Sequence, residues 1–173
     1  MDICALTPAD APAFQTLRLQ GLKECPSAFA SSFEEEEHRP IEKIAERLLR
    51  RANGAIFGAF VNDGLVAVVG LQRESARKLA HKAFIWGMYV SPESRGAGVG
   101  RALLRHALQY AEAELGVLQV NLGVNTENPA AIALYKALGF KEFGVERDFL
   151  RVGSRLYDEY RMVCKLDAAP DTR

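Results

Sequence analysis

Trp86-Gly-Met-Tyr-Val-Ser-Pro-Glu-Ser-Arg-Gly-Ala-Gly-Val-Gly-Arg-Ala-Leu-Leu104 decides how this chain is read, because it joins a β-rich run, a glycine turn and an amphipathic helix. Gly96, Gly98 and Gly100 allow the backbone conformations closed to other residues and a close approach to a ligand. The helix that follows offers unpaired N–H groups and the positive end of its dipole, so an anion can be held without a lysine. Two nucleotide readings fail on detail. A dinucleotide fingerprint needs an acidic residue about 20 positions on, and Val117 to Val120 holds none; a P-loop needs Lys-Ser or Lys-Thr, and Gly100 is followed by Arg101-Ala102.

Outward from that junction the elements alternate. Ile3 to Leu6 reads as a strand, and Pro8 to Asp10 opens a helix through Lys23 with Phe14, Leu17 and Gly21 on one side. Cys25-Pro26-Ser27 stops it. Pro40 starts a second helix in which Ile41, Ile44, Ala45, Leu48 and Leu49 make one buried face. Ala55 to Val61 and Leu65 to Arg73, joined by Asn62-Asp63-Gly64, form a hairpin, and Glu74 to His81 a loop. Lys82 to Val90 is a strand; Val99, Leu103, Leu104, Ala107, Leu108, Ala111 and Leu115 stripe the next helix, which Gly116 ends. Val117 to Val124 is a strand, Pro129 to Leu138 a short helix, and the rest an antiparallel pair turning at Gly153-Ser154. The order predicts a single mixed α/β domain over residues 1–167, its central sheet mostly antiparallel and flanked by helices, with 168–173 a loose tail.

Composition narrows the function. Twenty-two basic residues balance twenty-two acidic ones, which excludes an overall field for nucleic acid or an anionic membrane. No apolar run reaches the ~18 residues of a spanning helix, and the start lacks a leader pattern, so a cytoplasmic location is expected. Cys4, Cys25 and Cys164 fit neither a disulfide framework nor a zinc site, and His38, His81 and His106 show no ligand spacing, so no metal is expected.

The spacing Arg95, two residues, Gly98, one residue, Gly100 resembles the hallmark of the GNAT superfamily of acyl-CoA-dependent N-acetyltransferases. The stretch from Asn125 to Phe140, with a tyrosine near the end of a helix and Gly-Phe after it, resembles that family's second hallmark. The match runs from about Phe84 to Phe143. It implies acetyl-CoA as co-substrate and a splayed strand pair to hold it. Arg95, Gly96, Ala97, Gly98, Val99, Gly100 and Arg101 would wrap the pyrophosphate, while Met88, Tyr89 and Val90 pair with the pantetheine arm. Tyr135 would be the general acid at the sulfur. On spacing alone it is equally a core aromatic, since Ile132, Tyr135 and Leu138 share a face. Asn128 stands where a helix N-cap belongs, and the resemblance adds a contact with the CoA arm.

The general base departs from that pattern. Where ribosomal-protein acetyltransferases carry a glutamate this chain has Gly123, and where histone-type relatives carry one it has Phe84. Period-2 alternation sets Asn121, Gly123 and Asn125 on one face; Asn121 could align a water but is no base. Glu34 and Glu35, in the run Glu34 to Glu37 after Phe33, either draw a cationic amine to the acceptor pocket or decorate the helix at Pro40. Phe33 and Trp86 are candidate pocket walls. The reading is acetyl transfer to a small-molecule or peptide amine by direct attack in a ternary complex. Its rivals are protein N-terminal or lysine acetylation and a non-catalytic acyl-CoA-binding module. A homodimer is left open.

Overall fold

A computed structural model describes residues 1–49 and 51–166; the expected tail at 168–173 and the domain limit at 167 lie outside the described residues. Seven strands form one sheet: β1 (Asp2–Ala5), β2 (Gly54–Val61), β3 (Gly64–Arg73), β4 (Lys82–Val90), β5 (Gln119–Asn125), β6 (Lys141–Val152) and β7 (Arg155–Lys165). Its order is β1-β2-β3-β4-β5-β7-β6, and every pairing is antiparallel except β4 with β5. Asn62 and Asp63 both take positive φ between β2 and β3, the handedness that a two-residue hairpin requires.

Helices α1 (Ala11–Glu24), α2 (Phe33–Glu36), α3 (Ile41–Arg47), α4 (Val99–Ala113) and α5 (Pro129–Ala137) cover the sheet. Val99, Leu103, Leu104, Ala107, Leu108 and Ala111 of α4 are buried in a core that also holds Val69, Ile85, Val120, Leu122 and Tyr135. A second core gathers Phe14, Leu17 and Leu22 of α1 with Ile44, Leu48, Val68 and Tyr89. Strand alternation sends Val68 to one core and Val69 to the other, so the sheet separates them.

One local expectation is corrected. The helix after Pro40 is only seven residues long, too short to bury a full stripe: Ile44 and Leu48 are buried, but Ile41 and Leu49 are exposed. The acidic run before it forms a short helix of its own. Ser32 accepts a hydrogen bond from the Glu35 amide at 3.2 Å while the Glu35 carboxylate accepts one from the Ser32 amide at 2.8 Å, a capping box that starts α2.

One irregularity shapes everything around the site. Opposite β3, Val68 pairs with Tyr89 and Gly70 with Trp86, so Val69 alone faces both Gly87 and Met88. Gly87 takes φ +63° at this bulge. A bulge bends its strand. On its other side β4 pairs with β5 only at Lys82, Ala83 and Phe84; from there β5 follows β7 through Asn125 and β4 goes its own way. The two strands open like a V.

Candidate active site

A cavity of about 450 Å³ fills the upper half of the V on the α4 side, lined by Met88, Tyr89, Val90, Arg95, Gly96, Gly98 to Arg101, Asn128, Leu134 and Tyr135. Gly96 and Gly98 have φ of +76° and +79°, and a side chain built on either meets nothing within 4 Å. Dihedral freedom, not crowding, is what requires glycine there. Gly98 is the N-cap of the fifteen-residue α4, so the first-turn amides of that helix face the cavity mouth. Gly100 has a different task. A Cβ there would come within 3.2 Å of Val90 and 3.3 Å of Met88, so its small size lets α4 lie close to β4.

Arg95 does not reach over the cavity as a free cation. Its Nε donates to the Val90 carbonyl at 3.0 Å, and its Nη1 lies 2.6 Å from Glu24. The same glutamate accepts from the Tyr89 hydroxyl, so the turn, the end of β4 and the end of α1 are tied in one cluster. The hydrogen bonds from Arg95 and Tyr89 hold the Glu24 carboxyl below its usual range; burial first and then that hydrogen bond raise the Tyr89 phenol. Ala97 is exposed at the crown of the turn. Asn128 accepts from the Ala131 amide at 3.1 Å as the N-cap of α5, with Pro129 at its first position, and also lines the cavity.

Tyr135 is a core aromatic, and its hydroxyl also borders the first cavity. Its ring is 8% exposed and packs edge-on against Phe140, with centroids 5.8 Å apart. Its hydroxyl points to the sulfur of Met88 at 3.8 Å, beside the bulge. Burial pushes its pKa up to about 12. The core grips the ring and leaves the hydroxyl at the cavity wall.

Phe29 and Ala28 also line a second cavity, of about 300 Å³, formed by Arg18, Ser31, Arg47, Phe84, Ile85, Trp86, Gly87, Gly123, Asn125, Phe149, Tyr157, Glu159 and neighbours. The two cavities share Ala28 and Phe29 and take adjacent residues of β4, Gly87 in the second and Met88 in the first. Both positions noted for the missing base, Phe84 and Gly123, face this second space. A Cβ on Gly123 would fall 1.3 Å from Oε1 of Glu159, which comes across from β7 and occupies the room a side chain at 123 would take. Glu159 is 7% exposed, and its Oε2 has no hydrogen-bond partner among the described residues. Burial raises its pKa; the charge of Arg161 opposes that shift and that of Glu146 adds to it.

Across the cavity stands Arg18, 5% exposed, with Cζ 5.0 Å from the centre of the Phe29 ring. Its Nη2 donates to Glu36 at 3.1 Å and Ser31 at 3.3 Å, and its Nε to Glu36 at 3.4 Å. Nη1 has no hydrogen-bond partner among the described residues and lies beside Gly87. Glu36 is 1% exposed and also meets Arg47 at 3.5 Å, so a buried and a half-buried cation share one anion.

The remaining substrate expectations divide. Trp86 is a wall of this cavity, lying so close over Gly70 that a Cβ there would meet its ring at 2.2 Å, with Arg47 4.8 Å from its centre. Phe33 and Glu34 border a neighbouring hollow instead, and Lys23 covers the Phe33 ring at 4.1 Å. Glu35 is exposed and committed to the cap of α2, and Asn121 accepts from Gln119 at 2.9 Å outside the second cavity's wall. The inward member of the acidic run is Glu36, and arginines already hold it. Sequence reasoning missed Glu24, Gly87, Arg18 and Glu159. The available signal was glycine inside strand patterns, at 87 and 123, which marks a bulge or the close approach of another group.

The model of the family described as acetyltransferase (GNAT) matches residues 20–140. The chain is 37% identical over 105 residues to N-alpha-acetyltransferase RimI of Mycobacterium tuberculosis, covering 61% of this chain and 62% of that protein. It is 35% identical over 141 residues to aminoglycoside N(6')-acetyltransferase type 1 of Stenotrophomonas maltophilia, covering 79% and 83%. With other curated relatives the match spans 49% or 59% of their length. The crystal structure of ribosomal-protein-alanine N-acetyltransferase from Brucella melitensis has the same fold: TM-score 0.82 at 24% identity, over 96% of this chain and 100% of that one.

Proposed function

This chain belongs to the GNAT family of acetyltransferases, and from that premise we propose that it moves an acetyl group from acetyl-CoA to a primary amine. Transfer is by direct attack in a ternary complex, in the cytoplasm. The observation that carries this reading is the parting of β4 from β5 after Phe84, which leaves one edge of β4 free, with one cavity lined by Gly87 and the other by Met88 at the bulge. CoA would occupy the cavity under the glycine turn, its pyrophosphate on the amides of residues 96–101 and its pantetheine arm along Met88 to Val90. The thioester would then sit at Gly87 and Met88, below the Tyr135 hydroxyl.

The chemistry follows from those positions. The amine nitrogen attacks the thioester carbon; the C–N bond forms, the C–S bond breaks, and the thiolate takes a proton from Tyr135. A phenol lifted by burial is a weak acid in water, but the departing thiol is lifted by the same dry surroundings, so the proton transfer stays near balance. Relatives named for a protein N-terminus and for an aminoglycoside support an amine acceptor in general. The test is release of free CoA thiol from acetyl-CoA over a panel of amines. Turnover with one class of amine is expected. Tight binding of acetyl-CoA without turnover on any amine would favour a non-catalytic acyl-CoA-binding module.

A further inference from the structure

Three buried side-chain polar atoms lack a hydrogen-bond partner among the described residues: Oε1 of Gln15, Nη1 of Arg18 and Oε2 of Glu159. The last two line the same cavity, and they are opposite in kind: a cationic donor on one wall and a carboxylate acceptor on another. Each side chain keeps an ionic partner through its other atoms, but a buried polar atom left without a hydrogen bond is costly and calls for an explanation, which a ligand bridging the two would supply. Resting on the acetyl-transfer reading above, we infer that the acceptor is a zwitterionic amine of amino-acid type, its carboxylate held by Arg18 and its ammonium deprotonated by Glu159.

The rest of the cavity fits that occupant. Its volume is at the small end of ligand pockets. Phe29, Phe84, Trp86 and Tyr157 give it aromatic walls, which suit an apolar side chain. Glu159 supplies from β7 what Gly123 lacks on β5, and Gly123 in turn keeps the space empty for it. The proton balance closes. The ammonium gives one proton to Glu159, the nitrogen attacks, and its second proton leaves as the amide forms. Tyr135 protonates the thiolate and is restored from that released proton, so one proton reaches solvent per turnover through Glu159.

The charged groups around Glu159 are Arg161 and Asp158 on its own strand, the latter paired with Arg147, Glu146 on β6, and Arg18 and Arg47 across the cavity, while β5 presents Gly123 and Asn125. Arg161 is engaged chiefly by Glu146, through Nε at 3.1 Å and through Nη2, and meets Glu159 only at 3.4 Å. The base is therefore available.

The test compares each free L-amino acid with its own carboxamide, which removes the negative charge and little else, by CoA-thiol release. Wild type should favour the acid by about 10- to 100-fold in kcat/KM, as a charge-assisted hydrogen bond would, and Arg18→Gln should erase that preference by raising KM for the acid alone. Glu159→Gln should lower kcat/KM about 100-fold or more at neutral pH. It should also move the acidic limb of the pH profile up to the pKa of the free amine, with acetyl-CoA affinity unchanged and melting temperature held or raised. Glu159→Ala with Gly123→Asp should recover part of the rate, because the carboxylate returns from the neighbouring strand. Equal use of acid and amide, or turnover confined to polyamines or peptides, overturns the inference while acetyl transfer stands. Should no amine turn over, calorimetric titration of the amino acids into the protein–CoA complex separates the two ideas. Arg18-dependent binding keeps the zwitterion site and removes the transfer reading; no binding removes both.

Discussion

Tyr135 is a core aromatic whose hydroxyl lies at a cavity wall, where the proposed acid role would place it. Phe140 and the helix face fix the ring, and only the hydroxyl meets the cavity. Tyr135→Phe keeps that packing and removes the proton, so kcat is expected to fall about 10- to 1000-fold with little change in acetyl-CoA affinity or melting temperature, measured by steady-state kinetics and calorimetry. A drop in stability with intact kcat would leave only the packing role. Its position was legible because a hallmark spacing carried it. Glu159 was not legible: nothing local to Tyr157-Asp-Glu-Tyr160 says that this carboxylate fills the room beside Gly123. That neighbourhood is created by β5–β7 pairing between segments more than thirty residues apart.

The element that matters most is the strand–turn–helix from β4 to α4. Its glycine turn into a helix was readable from three glycines, and the structure separates their reasons: two adopt positive φ, the third permits close packing. Gly98→Val must distort a residue at φ +79° and places a branched side chain at the cavity mouth. Loss of at least ten-fold in acetyl-CoA affinity by calorimetry is expected, with the far-ultraviolet dichroism of the fold retained. The bulge at Gly87 escaped the sequence reading, since Lys82 to Val90 has an uninterrupted strand pattern and a glycine within it announces either weakness or a bulge. The acidic run was misjudged for a related reason. Its four identical carboxylates look interchangeable in sequence, and only helix phase makes Glu35 a cap and sends Glu36 into the core.

For the whole molecule, Glu36 joins the helical layer to the second cavity, because the arginines it holds are walls of that cavity. Burial raises its pKa, but the Arg18 hydrogen bond and the charges of Arg18 and Arg47 outweigh that and leave it lowered. A carboxylate with a lowered folded pKa stabilises fully above the ordinary glutamate value of about 4.3, and the contribution is lost as pH falls through the lower folded value. Glu36→Gln is accordingly expected to cost about 3–5 kcal/mol at pH 7, since it leaves the buried Arg18 without its anion and the half-buried Arg47 with one charge partner fewer, and to flatten the acid side of the stability curve in urea titrations. The alternation of elements, the hairpin and the single parallel crossover were all readable from periodicity and turn chemistry. How far β4 and β5 remain paired was not, because separation is decided by a bulge and by what each strand meets next. The central claim is that this separation is the seat of acetyl transfer, and a crystal structure of the acetyl-CoA complex tests it most directly. The account expects the pyrophosphate on the amides of residues 96–101, the pantetheine arm along the free edge of Met88 to Val90, and the sulfur within hydrogen-bonding reach of the Tyr135 hydroxyl. A cofactor bound elsewhere, or a thioester lying away from both Gly87 and Tyr135, would contradict it.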